Sequence, residues 1–241
     1  MVCCTIICMR ILAMIPARMG SKRIVRKNVR YMAGQPLISY AMSLAAQSKA
    51  FDQIWVNSEE PVFGEIGKQF GIRYHARPAE LANDIATNRE FTYEFLKQHD
   101  CDFLVMVNST SPVLRVQTIM HFVNFVKRDE YDTVLSVVSE RAETFFKEQP
   151  LNFSLGEKRP SQALEPTQKV VWALTAWRRS TFLKLQESGE CPVFGGRLST
   201  FEIPKDEACD LDTEEDWRIA EGILLSRQRP FPQKYFESIQ L

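Results

Sequence analysis

The sequence predicts an α/β protein built on a mostly parallel sheet, and three observations carry that prediction. Short apolar runs alternate with amphipathic runs at the pitch of βαβ units. The run Phe103–Val107 is apolar at every position, which suits a strand covered on both faces. Polar segments directly follow several apolar runs, where an open α/β sheet gathers its ligands.

Each element follows from its residues. Ile11–Ile15 is an apolar run closed by Pro16 and reads as a buried strand. The basic stretch 17–23 follows it as a loop. From Pro36 to Ser48, Leu37, Ile38, Ala41, Leu44 and Ala45 recur at helical spacing. Gln53–Asn57 is a second strand, Val62–Gln69 a helix stopped at Gly71, and Ile72–His75 a third strand. Arg89–Gln98 is helical, with Phe91, Phe95 and Leu96 on one face. After the Phe103 strand, Thr118–Val126 is a helix and Thr133–Val138 a strand. Residues 140–170 carry Pro150, Pro160, Pro166 and mixed charge, which breaks the alternation and reads as an inserted, loop-rich arm. Val170–Trp177 resumes as a strand, Ser180–Gln186 as a short helix and Phe201–Pro204 as a short strand. Thr213–Ser226 is a helix; Thr213 can cap it, and Glu214, Glu215 and Asp216 suit its positive end.

The 241 residues accommodate one domain spanning 1–241, with the arm as an appendage. Apolar residues make up 45% and charged residues 25%, enough for a core without disulfide staples. Thirty Lys+Arg balance thirty Asp+Glu, which argues against a duplex nucleic-acid partner. No run of 18 apolar residues suggests a membrane span. The apolar start, residues 1–9, lacks the basic region of a secretory signal, and Met9 is a second candidate start. The six cysteines, at 3, 4, 8, 101, 191 and 209, show no metal-ligand spacing; reduced thiols and a cytoplasmic location are expected.

Three strand-end motifs converge on chemistry. The first loop carries Arg18, Gly20, Ser21, Lys22, Arg23 and Lys27. Gly20 permits close backbone approach, and successive N–H groups can form an anion nest. The loop is not a Walker A motif, since Ile15 stands where that pattern needs glycine, and no GxGxxG exists. A phosphate site is expected; the competing reading is a solvated charge run. The second motif is Asn108–Pro112. In the third, Asp210 and Asp212 flank Leu211, so in extended backbone both carboxylates point one way. Such a pair can hold Mg²⁺ or simply form a helix-capping acidic turn.

In order along the chain, Ile15–Arg23, Lys27-Asn28, Gly34–Ile38, Phe51–Val56, Arg77–Asp84, Thr110–Arg115 and Asp210–Trp217 resemble the motifs of the acylneuraminate cytidylyltransferases, the CMP-sialic acid synthetases. The resemblance covers residues 11 to about 225. It implies a Rossmann-like nucleotidyltransferase fold with a small dimerisation arm. The activity implied is transfer of CMP from CTP to the anomeric hydroxyl of an acidic 2-keto sugar, with release of pyrophosphate. By matching motifs, Arg18, Gly20, Ser21, Lys22 and Asn28 should hold the triphosphate, and Arg77, Ala86 and Asn88 the nucleoside. Asp210 and Asp212 should hold Mg²⁺. Arg18, Lys22 and Asp212 are the implied catalytic groups, and a homodimer is the implied assembly. Asn108, Ser109, Gln162 and Trp177 should face the acceptor. There the sequence departs from the family: Asn108-Ser109 stands near a family Gln, and Ala173–Trp177 replaces Asn-Gly-Ala-Ile-Tyr. The altered half implies an unusual acidic acceptor. Alternatives are another nucleotide, a phosphonate or other non-sugar acceptor, or a nucleotide-binding module without turnover. His75, His99 and His121 read as core or surface residues, and Trp55 and Trp172 as core or interface. Arg229–Pro232 reads as an extended tail.

Overall fold

Strand β1, Ile11–Pro16, sits near the middle of a seven-stranded sheet and alternates its side chains between two cores. The structure, a computed structural model, describes residues 9–228; the leader and the Arg229–Pro232 tail lie outside the described residues. Ile11, Ala13 and Ile15 enter one hydrophobic cluster, Leu12 and Met14 the other, all of them fully buried. This period of two explains why the strand is apolar at consecutive positions.

A two-residue turn with positive φ at Ala33 and Gly34 joins β2, Tyr31–Met32, to β3, Gln35–Pro36. Helix α1 follows at Leu37–Ser48, then β4 at Gln53–Ser58, α2 at Val62–Lys68 and β5 at Arg73–Ala76. Gly71, with φ +70°, makes the turn between the last two. Helix α3 is Asn88–Gln98, opened by a capping box between Thr87 and Glu90. Next come β6, Phe103–Val107, α4, Val116–Val126, and β7, Thr133–Glu140. The expected arm contains a small hairpin of β8, Phe145–Phe146, and β9, Gln149–Pro150. The chain then forms β10, Thr167–Arg178, α5, Arg179–Glu187, β11, Leu198–Glu202, and α6, Glu214–Arg227. Thr213 and Asp216 form the capping box of α6.

The sheet order is β11-β7-β10-β6-β1-β4-β5. All neighbours pair in parallel except β10, which runs antiparallel to both β6 and β7. One core lies with α1 and α4, where Ile38, Met42, Ile119 and Phe122 are fully buried. The other holds Phe95 of α3 and Phe182 of α5. A third cluster packs Trp217 of α6 against Ile24, Met32 and Leu211.

The reversal of β10 decides what it contributes. Leu174 pairs with Val107, at the carboxyl end of β6, whereas Arg178 pairs with Phe103, at its amino end. The beginning of β10 therefore reaches the sheet edge where the loops after β1, β4, β5 and β6 emerge. Trp177 lies towards the other edge.

Candidate active site

A cleft of about 600 Å³ opens over the carboxyl edge of the sheet. This is the place that strand polarity dictates in an open α/β fold. The loop after β1 forms one side. The end of β5 and the start of α3 form a second, and the loop after β6 with Trp172 a third.

The basic loop is tied down by its neighbours. The Ala17 amide donates to Asn57 O (3.0 Å) and the Met19 amide to Glu59 Oε1 (2.9 Å). Asn28, 4% exposed, donates through Nδ2 to Arg18 O (3.1 Å); its Oδ1 is buried without a partner among the described residues. Ser21 lines the cleft, and at Gly20 an added Cβ would meet nothing within 4 Å. Arg18 Nη1 donates to Asn83 O (2.8 Å) and pairs with Asp84 (2.8 Å); Lys22 pairs with Asp84 at 2.5 Å. The two cations hold the Asp84 carboxyl below its ordinary range. Asn83 Oδ1 accepts from the amides of Ile85 and Ala86, so the segment carrying Asp84 is locally folded.

Arg77 follows β5 and is 5% exposed. Its guanidinium donates to Ala17 O, pairs with Glu59 Oε2 at 3.2 Å and lies 5.1 Å from the centre of the Phe91 ring. Burial lowers its pKa, and Glu59 partly offsets that. Its Nε is buried without a partner among the described residues. Asn88, the first residue of α3, joins Arg77 and Phe91 on this wall.

Opposite, Ser109 Oγ donates to Pro16 O (3.0 Å) and Thr110 Oγ1 to Asp210 Oδ1 (2.7 Å). The Leu211 amide donates to Thr110 O (3.2 Å), which stitches the acidic turn to the loop after β6. Leu211 is fully buried, and Asp210 and Asp212 flank it. Asp210 lines the cleft. Lys27 donates to Leu211 O; burial lowers its pKa while Asp210 and Asp212 raise it. The described residues contain no group of three or more His, Cys, Asp or Glu side chains poised for a metal.

Several expected residues take other places. Trp177, expected at the acceptor, is 1% exposed in the core, with its indole N–H donating to Val193 O (3.1 Å). The reversal of β10 puts it towards the far edge of the sheet, and Trp172 at the cleft instead. Gln162 is exposed in the Ser161–Ala163 turn of the arm and does not line this chain's cleft. Asp212 pairs with Arg23 (2.8 Å) and lies outside the lining, as does Ala86. Asp84 and Glu59 receive no site role from the sequence, and Phe91 and Trp172 read there as packing residues, yet Asp84, Phe91 and Trp172 line the cleft and Glu59 pairs with Arg77 beside it. Their partners lie far along the chain, so spacing carries no signal for them.

The histidines are also more connected than their spacing suggests. His75 Nδ1 lies 3.0 Å from His99 Nε2, and His75 Nε2 lies 2.7 Å from Glu94 Oε2. Burial, then His75, lowers the His99 pKa to about 4. His121 is exposed. Cys101 is buried, with its thiol pushed up to about 12, and Cys209 is partly buried, pushed up to about 11 by burial; neither is a ready nucleophile.

These features define an α/β protein of the nucleotidyltransferase fold whose cleft is lined by basic side chains and rimmed by carboxylates. Solved structures share the fold. CMP:2-keto-3-deoxy-manno-octonic acid synthetase, complexed with CTP, aligns over 90% of this chain and 99% of its own with TM-score 0.65 and 18% identity. A 4-diphosphocytidyl-2C-methyl-D-erythritol synthase from Anaerococcus prevotii aligns over 90% and 99% with TM-score 0.62 and 13% identity. The profile of the cytidylyltransferase family matches residues 12–215, and the chain belongs to that family. It is 28% identical to N-acylneuraminate cytidylyltransferase A of Danio rerio over 227 residues, which are 88% of this chain and 50% of the relative. It is 32% identical to the N-acylneuraminate cytidylyltransferase of Escherichia coli O18:K1:H7 over 240 residues, 91% of this chain and 53% of the relative. The chain thus spans about half the length of these curated relatives.

Proposed function

We propose that this chain transfers CMP from CTP to the anomeric hydroxyl of an acidic 2-keto sugar and releases pyrophosphate. The observation that carries the reading is convergence in one cleft. Arg18, Ser21 and Lys22 from the loop after β1, Arg77 and Asn88 from the β5–α3 side, and Asp210 from the acidic turn all line it. They come from segments up to 192 positions apart in a chain of the cytidylyltransferase family, taking Arg18 and Asp210 as the ends.

In this reading Arg18, Ser21, Lys22 and Asn28 bind the triphosphate. Arg77, clamped by Glu59 and Ala17, lines the nucleoside side of the cleft with Asn88. Asn108, Ser109 and Trp172 face the acceptor. The acceptor oxygen attacks the α-phosphorus in line, and its proton is released to water. The bond from the α-phosphorus to the bridging oxygen breaks, and pyrophosphate departs with that oxygen. Arg18 and Lys22 offset the charge that develops on the leaving group, so positioning and charge neutralisation do most of the work.

The acidic turn fits Mg²⁺. Two carboxylates flank one buried residue beside the phosphate-binding loop, and Mg²⁺ usually takes one or two carboxylates plus substrate phosphates. Asp210 and Asp212 would hold the ion, with Asp212 first released from Arg23. When bound, the ion would screen the phosphate oxygens and the departing pyrophosphate.

A homodimer belongs to the same proposal. Phe145, Phe146, Leu151 and Leu155 of the arm are 55–75% exposed, an apolar patch suited to a second copy. Gln162 lies on that arm and would act in the neighbour's cleft. Pyrophosphate release is the test of turnover. With CTP, Mg²⁺ and 2-keto sugar acids, release is expected with at least one acceptor. A folded protein that binds CTP and releases none with any acceptor would reduce the proposal to nucleotide binding.

A further inference from the structure

Beside the Arg77–Phe91 contact lies a second group of side chains, half-buried around a buried His75, that the reaction does not use directly. His75 is 5% exposed on β5, two residues before Arg77. Glu94 is on α3, one turn after Phe91. The imidazole of His75 joins the two elements, with Nε2 at 2.7 Å from Glu94 and Nδ1 at 3.0 Å from His99. His75 thus uses both ring nitrogens, one towards the Glu94 carboxylate and one towards the His99 ring. His99 closes α3, and its ring packs 4.2 Å from Trp55 of β4 and 4.1 Å from Phe95 of α3, centre to centre. The hydrogen bonds therefore join β5 to α3 at two points, and the Trp55–His99 ring contact packs β4 against the same group.

The group repeats the geometry of the cleft wall beside it. The helix that meets β5 through His75 and Glu94 meets the residue just after β5 through Arg77 and Phe91, 5.1 Å apart. Asn88 starts that helix and lines the cleft. A directional hydrogen-bond chain centred on a buried imidazole fixes orientation in a way that apolar packing alone does not. We infer that His75, Glu94 and His99 form a positioning relay that sets α3 against β5 and so holds Arg77, Phe91 and Asn88 in register for the nucleoside. This inference rests on the CTP reading of the cleft.

The test is CTP titration by calorimetry, with steady-state pyrophosphate release wherever an acceptor is turned over. The variants are His75→Ala, Glu94→Ala and the conservative Glu94→Gln, which keeps an acceptor oxygen for His75. Expected are a rise of about tenfold in the CTP Kd for both alanine variants, the scale of one buried hydrogen bond to a charged group. KM for CTP should rise with it while kcat stays within about threefold. Glu94→Gln should restore most of the affinity. The double variant His75→Ala/Glu94→Ala should bind no more weakly than either single variant. Glu94→Ala lies on a helix and keeps a strong helix former, so it answers the question even if His75→Ala does not fold. Folded Glu94→Ala that binds CTP as wild type does would overturn the relay. So would equal weakening by Glu94→Gln and Glu94→Ala. Wild-type protein that fails to bind CTP would instead remove the reading on which the relay rests.

Discussion

Replacing Arg77 by Met tests whether the cleft wall is built around a buried ion pair. The Arg77 and Glu59 side chains are 3% and 16% exposed and meet at 3.2 Å. Removing one partner of such a pair strands the other charge in a site poor in water, which typically costs about 3–5 kcal/mol. For a chain of this size that corresponds to a fall in Tm of about 6–20 °C. Met keeps an unbranched apolar stem but removes the guanidinium that lies over the Phe91 ring. The second change, Glu59→Gln, removes the stranded charge and leaves an oxygen for the Met19 amide, which donates to Glu59 at 2.9 Å. The double variant Arg77→Met/Glu59→Gln is therefore expected to regain most of the lost stability while still binding CTP poorly, because the Arg77 guanidinium is gone from the cleft lining. Thermal melts of the wild type, both single variants and the double variant read the coupling directly. A melt of Arg77→Met within about 2 °C of wild type would refute the argument, as would a double variant no more stable than Arg77→Met.

Three further outcomes follow from the same geometry. Trp177→Phe removes the hydrogen bond to Val193 O and part of a 1%-exposed ring, and should cost about 2 kcal/mol in denaturant unfolding with no change in acceptor KM; a changed KM with unchanged stability would return Trp177 to the cleft. Burial and His75 hold His99 at about 4, below its ordinary 6.5, while Arg10 ahead of β1 and Arg73 on β5 add like charge and Glu94 faces His75. The unfolded chain binds the His99 proton first as pH falls, so this stabilisation is complete above about 6.5 and is lost between 6.5 and 4. Urea midpoints across that window should fall towards acid in wild type and less steeply in His99→Gln; identical slopes would contradict the assignment. Asp84→Asn takes away the carboxylate that pairs with Arg18 and Lys22, so CTP should bind more tightly in calorimetry, and equal or weaker binding would show that Asp84 does not compete with phosphate.

The legible part of this protein is the part governed by local pattern. The alternating cores behind β1 and β6 are visible in Ile11–Ile15 and Phe103–Val107, because a strand buried on both faces must be apolar throughout. Thr213 and Asp216 announce the start of α6 for the same local reason. The direction of β10 is not written in its residues. Strand propensity is the same for either polarity, and the reversal alone exchanges Trp172 and Trp177 between cleft and core. β10 also begins at Thr167, because pairing with β7 extends it into the expected arm. The basic loop is visible as a charge cluster, but its partners Glu59 and Asp84 lie 40 or more residues away from Met19 and Arg18. The His75–Glu94–His99 chain is hidden likewise: its members belong to a strand and a helix that only the fold brings together.

Calorimetric titration of CTP, then UTP, GTP and ATP, in the presence of Mg²⁺ tests the central claim most directly, with Asp210→Ala/Asp212→Ala as the control. Selective CTP binding by the wild type and markedly weaker binding by the double variant are expected. Folded wild-type protein that does not bind CTP, or binds all four nucleotides alike, would contradict it.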